Sequence, residues 1–331
     1  MTAASATPER TALRPDHAIG RWLASLFPDG EAIEGEAPLE LVAEAADPPK
    51  LAQAAVIEGR ELRAIDVGGK PEVAIAAFLD GRQESTVKMY RPGGVPIVAG
   101  TIGAVIRERR DRRMFTWSHC VDQRIYVPAR YLNESDRRAL DTSGANVRDT
   151  TAGTTDAIEH PLALRELARN LVRNDRESLE HALAKEWCAA ETRPLLIDGG
   201  ISAAQPIARS ACAIGVVKSH RTLYVQGDAL RVTLGLEAAQ RTSVFSINPE
   251  KRAAVASWYL RLRDRAGRDP MWGLVRVEVS APVGRDDIGA RANEVSRWIL
   301  AEAAPLALPD GRWDKMVYGV RDCEEFLRAV M

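Results

Sequence analysis

Two aspartates occupy matching positions in the sequence, each at the end of an apolar run and each followed by a glycine. Asp80 follows the apolar residues 73–79, and Asp198 follows the apolar residues 195–197. A strand end fixes the position of a side chain, and glycine allows backbone, ligand or metal to come close. The two carboxylates therefore predict one shared acidic site assembled from distant parts of the chain. The alternative is that each Asp-Gly pair only makes a turn.

Apolar runs and helical spacing predict the elements that would position these aspartates. Short continuous apolar runs are typical of strands covered on both faces, whereas leucines three or four residues apart indicate helices. Strands are predicted at residues 73–79, 96–106, 195–198 and 213–219. Helices are predicted at residues 160–187, with a polar break at 174–175, and at residues 288–303 and 322–330. This succession of strands, helices and further strands predicts an α/β or mixed α+β fold.

The composition is typical of a soluble globular protein. With 331 residues, 46% of them hydrophobic and 27% charged, the chain can bury a substantial core as one large domain or two. No apolar run approaches the roughly 18 residues that span a bilayer, and residues 1–16 lack the pattern of a secretory signal. We therefore expect a cytoplasmic protein with no membrane partner. The four cysteines, at positions 120, 188, 212 and 323, have no paired spacing and are expected to be core thiols.

The first 60 residues are predicted to form a small N-terminal lobe that is acidic and partly helical. Helical spacing extends from Asp16 to Leu26, with Asp16 available as the N-cap. Residues 22–49 contain several Asp and Glu side chains but no Lys or Arg. Such a surface repels DNA, so it is either a solvated flap or a docking face for a basic partner.

Local arginine-rich stretches are the candidates for binding a polyanion, because the net charge of −1 gives no global nucleic-acid signature. Residues 106–113 contain five arginines, and residues 261–268 contain four and follow the aromatic pair at 258–259. Arginines interleaved with aromatic side chains can hold phosphates and stack on bases. Each stretch could instead be a solvated face.

Six segments, taken in order, resemble the NurA nuclease family. They are residues 78–81, 176–180, 195–199, 214–218, 258–262 and 273–278. The resemblance covers roughly residues 70–331 and implies a ribonuclease H-like mixed sheet flanked by helices. It further implies Mn²⁺- or Mg²⁺-dependent cleavage of DNA, a homodimer, and partnership with a HerA-like hexameric motor ATPase in DNA end processing, for repair or anti-phage defence. Residues 61–331 would then be the NurA-like nuclease domain, with an inserted helical segment at about 158–190.

The resemblance also implies a set of catalytic and metal-binding side chains. Asp80 matches the first acidic ligand of the family, and Asp198 matches its later strand-end aspartate. The helix between them should supply a glutamate, with Glu180 preferred over Glu186 and Glu166. Mg²⁺ and Mn²⁺ prefer oxygen ligands, and a pair of ions can activate a water and stabilise the leaving 3′ oxygen of a phosphodiester.

Further residues follow from the same resemblance. Lys218 matches a lysine of the family that follows a Gly-Val-Val strand, and it could hold a phosphate. A late histidine of the family is missing from residues 313–322, so Asp322, or less suitably Tyr318, would replace it as a metal ligand. Lys218, Arg241 or Arg276 could offset phosphate charge. The residues expected to contact nucleic acid are Arg107, Arg109, Arg110, Arg241, Arg261 and Arg276.

Two alternatives from other functional classes remain. A non-catalytic subunit could use the same fold, with an altered site, to guide DNA into a motor. An actin-like or sugar-kinase-like ATPase also holds magnesium-bound phosphates at a strand end, and residues 196–200 could form such a loop. The ATPase needs a second phosphate loop, which the sequence lacks, and no G-x-x-x-x-G-K-[ST] loop is present.

Overall fold

One large mixed β-sheet organises the fold, with helices packed on both of its faces. The structure is a computed structural model that describes residues 16–32, 48–111, 113–154, 160–248, 252–265, 267–281, 287–303 and 317–331. In these ranges the sheet contains thirteen strands, and a second sheet has two. The prediction of a mixed α/β fold with a sheet flanked by helices is confirmed.

The elements are numbered in chain order. The helices are α1 (Asp16–Leu26), α2 (Glu134–Thr142), α3 (Pro161–Ala190), α4 (Gln205–Ala208), α5 (Gly227–Leu234), α6 (Ile288–Glu302) and α7 (Tyr318–Val330). The first eight strands are β1 (Glu31–Ala32), β2 (Lys50–Leu51), β3 (Ala55–Val56), β4 (Ala64–Asp66), β5 (Ala77–Arg91), β6 (Val95–Arg110), β7 (Arg113–Val127) and β8 (Val147–Asp149). The others are β9 (Leu195–Asp198), β10 (Ala213–Val217), β11 (Thr222–Leu223), β12 (Gln240–Thr242), β13 (Phe245–Ile247), β14 (Val255–Arg261) and β15 (Leu274–Ser280).

The short strand β9 lies at the centre of the large sheet. It pairs in parallel with β5 on one side and with β10 on the other. On one side of this parallel centre, β5, β6 and β7 form long antiparallel hairpins. On the other side, the sheet continues from β10 through β15 to β14, and these strands also pair antiparallel. Parallel neighbours carry helices on both faces, so the strands at the centre are buried on both sides.

Strand β5 separates two hydrophobic layers, because successive side chains of a strand point to opposite faces. Phe78 packs in the layer that contains the α6 and α7 side chains, such as Val320 and Leu327. Ala77 and Leu79 pack in the layer on the other face, with the α3 side chains. By the same alternation Asp80 belongs to the α7 face of the sheet and Gly81 to the α3 face.

Helix α3 is continuous through residues 174–175, where a polar break was predicted. Asp175 is buried and forms ion pairs with Arg124 at 2.7 Å and Arg148 at 2.9 Å. These two arginines come from β7 and β8, so the polar residue joins the helix to the sheet instead of interrupting it. The helices predicted at residues 16–26 and 288–303 are confirmed as α1 and α6, and α7 begins four residues earlier than predicted.

Strands from the first 60 residues join sheets of the main body. β1 pairs with β5, β2 pairs with β11 and β3 pairs with β13. The predicted boundary at residue 60 therefore does not coincide with a break in pairing. Most of the predicted acidic stretch lies in residues 33–47, outside the described residues. Among the described helices, none combines the length and the apolar character that crossing a membrane requires.

Candidate functional site

The pairing of β5 with β9 brings Asp80 and Asp198 together. Leu79 lies opposite Ile197 in this parallel register, and the next residue on each strand is the aspartate. Paired residues of neighbouring strands share a face of the sheet, with the strands about 4.8 Å apart. One shared acidic site, predicted from two distant segments, thus has a direct basis in the register.

The two Asp-Gly pairs differ in structure, and only one ends a strand. Asp198 is the last residue of β9, and Gly199 has φ of +135°, a backbone conformation that other residues rarely adopt. Asp80 is the fourth residue of the fifteen-residue strand β5, so the predicted strand end at residue 79 is wrong. The turn interpretation consequently fails at Asp80.

Gly81 is required for a different reason, the close approach of Glu180. A Cβ atom placed on Gly81 would overlap with the Glu180 carboxylate, which comes from α3. Glu180 is buried and forms an ion pair with Arg176, one helical turn earlier. The other candidates lie elsewhere, since Glu166 pairs with Arg169 and Glu186 is exposed. Glu180 is therefore the α3 glutamate that accompanies Asp80.

Lys218, the residue that follows β10, is the fourth member of this group of side chains. Val216 lies opposite Asp198 in the parallel pairing, and Lys218 follows two residues later. Its Nζ atom donates to Asp198 Oδ2 at 2.9 Å, and both side chains are partly exposed. Four side chains predicted as catalytic thus belong to one neighbourhood, supplied by β5, α3, β9 and β10.

Burial makes this neighbourhood electrostatically unfavourable for negative charge. Burial, then the charge of Asp198, raises the pKa of Asp80 to about 7, against the opposing effects of Lys218 and of the Gly81 N–H. Burial also raises the pKa of Glu180 to about 8; Arg176 opposes this and Asp80 adds to it. The carboxylates therefore interact with one another. The neighbouring cations, Arg176 and Lys218, compensate only part of the negative charge.

The donor set fits a hard divalent cation by its chemistry. Carboxylate oxygens are preferred ligands of Mg²⁺ and Mn²⁺, and burial, together with the neighbouring acids, keeps Asp80 and Glu180 protonated up to neutral pH. Within the described ranges, no three acidic, histidine or cysteine side chains already surround one common point. Arg176 and Lys218 each hold one of the acids. Binding an ion would thus mean exchanging these internal cations for it.

The carboxylate of α7 that acts on Asp80 is Glu324, not the predicted Asp322. Asp322 accepts a hydrogen bond from Arg107 Nε at 2.5 Å, which commits it to an ion pair. Glu324 contributes to the raised pKa of Asp80. Two positions on a helix differ by about 200°, so residues 322 and 324 cannot face the same point. Residue 324 lies four positions after the buried Val320, a spacing from which the sequence could have identified it.

Tyr318, the other proposed substitute for the missing histidine, lines a cavity of about 410 Å³. Arg109, Asp322 and Glu325 line the same cavity, which lies between α7 and the β6–β7 hairpin. Neither Tyr318 nor Asp322 is among the main causes of the raised pKa of Asp80 or of Glu180. Tyr318 accordingly has no observed place in the acidic group.

Three of the arginines expected to bind nucleic acid are buried and fully engaged, which corrects that expectation. Arg241 is 1% exposed and donates to the Glu58 carboxylate, to Asn293 and to two backbone carbonyls. Arg261 is 0% exposed and donates to four carbonyls, those of residues 234, 236, 270 and 272. Arg276 is 8% exposed and binds the Glu278 carboxylate at 2.5 Å. These guanidinium groups stabilise the fold and offer no surface to a phosphate.

The other three expected DNA contacts belong to β6. Arg107 binds Asp322, and Arg109 binds both carboxylate oxygens of Glu302 at 2.6 Å. Arg110 also has a partner, Glu108, yet its side chain is 61% exposed at the tip of the β6–β7 hairpin. Arg110 is the member of this group with the largest surface available to a polyanion.

The Gly-Gly loop after Asp198 does not present its amides to a phosphate. Ile201 N donates to Glu278 Oε2 at 2.8 Å, and Gly199 N donates to the carbonyl of Val216. A Cβ atom on Gly200 would lie 3.0 Å from the Glu278 carboxylate. Because a carboxylate already occupies this loop, residues 196–200 do not form the phosphate loop that the ATPase alternative requires.

Comparison with known proteins gives a distant similarity to a solved structure. No protein-family model matches the chain, and no curated protein matches it. The fold is similar to the crystal structure of the NurA nuclease from Sulfolobus solfataricus, with a TM-score of 0.45 and 10% identity. The similarity covers 83% of this chain and 81% of that one. Values this low establish neither a family nor an activity for this chain.

The raised pKa values predict that the metal-free protein loses stability as the pH rises. The unfolded chain has carboxyl pKa values near 4, whereas those of Asp80 and Glu180 are about 7 and about 8 in the folded protein. Between these limits the folded state binds more protons, so the free energy of unfolding decreases. We expect a loss of about 1 kcal/mol or more from pH 5 to pH 8 in urea titrations with a chelator.

The matched control for this titration is the double variant Asp80→Asn and Glu180→Gln. It removes both titrating groups and should flatten the dependence of the unfolding free energy on pH. The same slope in the variant and in the wild type would assign the pH dependence to other groups.

Proposed function

We propose that this chain is a metal-dependent nuclease that hydrolyses phosphodiester bonds of DNA. The observation that carries the proposal is the pairing of Asp80 with Asp198 in the β5–β9 register, with Glu180 against Gly81 and Lys218 bound to Asp198. Burial and mutual repulsion raise the pKa of these carboxylates. A divalent cation binds them favourably because it supplies the positive charge that the site lacks. A lysine at the rim supplies positive charge for a phosphate.

Asp80 and Asp198 would hold the metal, and Glu180 would complete the ligand set or orient the attacking water. When bound, Mn²⁺ or Mg²⁺ supplies an activated water and neutralises charge on the phosphate. Beside a bound cation the pKa of Glu180 would fall from about 8, and the ionised carboxylate could then accept a proton from water at Oε1 or Oε2. Lys218 Nζ, once released from Asp198, would donate to a non-bridging phosphate oxygen.

The finer proposal is a nuclease of the NurA type with a ribonuclease H-like core. It is supported by the ordered resemblance of six sequence segments. Four of these segments supply the side chains of the candidate site, Asp80, Glu180, Asp198 and Lys218. DNA, a second copy of the chain and a HerA-like hexameric motor ATPase are proposed as partners on the same resemblance.

A specific observation favours a second candidate, a DNA-guiding subunit with a weak or inactive site. Glu180 and Asp198 are each paired with a cation of the same chain, Arg176 and Lys218. If these pairs persist in the presence of metal, the fold retains its shape without cutting DNA. The two candidates differ in a single activity, the cleavage of the backbone.

Incubation of the purified chain with linear duplex DNA and Mn²⁺ tests the first candidate. We expect cleavage products, and we expect a chelator to prevent their formation. A second reaction repeats the incubation in the presence of a hexameric DNA motor. Absence of products in both reactions, together with retained binding of the duplex, would replace the nuclease by the DNA-guiding subunit.

Contact of the β6–β7 hairpin with DNA is testable through the salt dependence of binding. Arg110 and Arg113 are exposed on either side of the hairpin tip. Each lost phosphate contact lowers the slope of log affinity against log salt concentration by about 0.9 for duplex DNA. The double variant Arg110→Ala and Arg113→Ala should show this reduction in fluorescence anisotropy titrations.

Arg138→Ala is the matched control, because Arg138 is equally a surface arginine, on α2, and is 77% exposed. It should leave the slope unchanged. An unchanged slope in the hairpin variant as well would return residues 106–113 to the class of solvated surfaces.

A further inference from the structure

Two cysteines that are distant in the sequence meet beside helix α3. Cys188 belongs to the last turn of α3, and Cys212 immediately precedes β10. Their sulfur atoms lie 3.7 Å apart, within hydrogen-bonding distance of each other. Both thiols are free. The sequence predicts only scattered core thiols, since a separation of 24 residues is no recognised pair.

The surroundings of this pair favour a reactive thiolate at Cys212. The Ser210 hydroxyl lies 3.1 Å from Cys212 Sγ and adds a second hydrogen-bonding group to that sulfur. The hydrogen bond between the two sulfurs, against the effect of burial, lowers the pKa of Cys212 to about 6 and raises the pKa of Cys188. A low-pKa thiol next to a second thiol is the arrangement in which oxidation leads to a disulfide.

The two sulfurs are near, but not at, bonding distance. A disulfide needs a sulfur separation of about 2.05 Å, so the two atoms must approach by roughly 1.7 Å. The Cys212 carbonyl is fixed by a 2.9 Å hydrogen bond from Leu195 N. Cys188 is half-buried and lies two residues before the end of α3, where a helix yields most easily. Movement of Cys188 toward Cys212 closes the gap.

We propose that Cys188 and Cys212 form a redox-sensitive dithiol that a hydroperoxide oxidises to an intramolecular disulfide. The Cys212 thiolate attacks a peroxide oxygen, the O–O bond breaks, and the leaving oxygen takes a proton to become water or an alcohol. The Cys188 sulfur then attacks the sulfenic acid sulfur, and the departing hydroxide takes the thiol proton as water. Two thiols lose two electrons and two protons, and one peroxide is reduced.

This inference is independent of the proposed nuclease function, because it concerns only the two sulfurs and their neighbours. The loop that the disulfide closes contains β9 and therefore Asp198. Oxidation would thus fasten the end of α3, the helix that carries Glu180, to the start of β10, which pairs with β9.

Peptide mapping of the full-length protein tests the pair. The reduced chain is freed of reductant, treated with hydrogen peroxide, alkylated and digested with trypsin without reduction. Trypsin cuts after Lys185, Arg209 and Lys218, so the two cysteines separate into peptides 186–209 and 210–218. We expect these peptides to be linked, lighter than their sum by two hydrogen atoms, with the free thiols falling from four to two.

Single variants distinguish the two sulfurs. Cys188→Ser should stop the reaction at a sulfenic acid on Cys212, which dimedone traps. Cys212→Ser should slow oxidation of the remaining thiol by about tenfold or more, because the low-pKa sulfur is gone. Cys120→Ser, a control outside the pair, should preserve the linked peptides. Survival of all four thiols, a linkage between other cysteines, or equal dimedone labelling of both variants would overturn the proposal.

Discussion

Replacing Asp80 or Asp198 by asparagine is expected to lower Mn²⁺-dependent cleavage of linear DNA by about 1000-fold, equivalent to ~4 kcal/mol of transition-state stabilisation. Asparagine preserves the shape of the side chain but loses the charge that holds the metal. Asp80 is 8% exposed and lies beside Asp198 in the β5–β9 register, so asparagine at either position removes a charge from the same small group of carboxylates. Initial rates on a labelled duplex, with metal and with chelator, measure the effect.

Folding and activity should separate in this experiment. Since ionisation of Asp80 is unfavourable in the metal-free protein, Asp80→Asn should leave the thermal midpoint equal or higher at pH 8. Asp228→Asn, an exposed aspartate of α5, is the matched control and should keep full activity. Normal cleavage by either site variant would show that the acidic group is not the active site.

Replacing Arg241 by alanine is expected to destabilise the fold by about 3 to 5 kcal/mol. The change leaves the Glu58 carboxylate without its bidentate partner and removes the donors to Asn293 and to two backbone carbonyls. A buried charge that loses its partner keeps the full cost of its desolvation. The free energy of unfolding from urea titration, followed by circular dichroism, measures the loss.

Arg138→Ala is the appropriate comparison for this loss. Arg138 is also ion-paired, with Glu134, but both side chains are exposed on α2. Removal of such a surface pair changes stability by at most about 1 kcal/mol. A loss below that value for Arg241→Ala would mean that the Glu58 pair contributes no more than a surface pair.

Asp80 and Asp198 were predicted from their shared Asp-Gly context, and Glu180 and Lys218 from the resemblance of six segments to a nuclease family. Asp198 follows an apolar run that is in fact a strand, and Lys218 follows another. Asp80 was identified for a reason that the structure corrects, since β5 continues through it. The glycine after Asp80 correctly indicated a close approach at this position. The reason is that Gly81 leaves room for the Glu180 carboxylate, and not that it makes a turn.

The arginines show where local sequence patterns fail. A guanidinium in an apolar strand can be a surface contact or a buried ion pair, and the difference depends on distant partners. Glu58, which neutralises Arg241, precedes it by 183 residues, and the carbonyls that surround Arg261 come from two separate segments, 234–236 and 270–272. Asp322 and Glu324 present the same problem on a smaller scale, because the rotation of α7 decides which of them faces Asp80.

The shortness of β9 has a consequence for how the two helical layers communicate. β9 ends at Asp198 while its neighbour β5 continues for eleven residues beyond Asp80, so the sheet has an opening at its centre. Glu180 reaches this opening from the α3 layer, and Asp80 lies on the α7 side. A cation bound there would link the two helical layers through the sheet. Its binding or release would change the rigidity of both layers together.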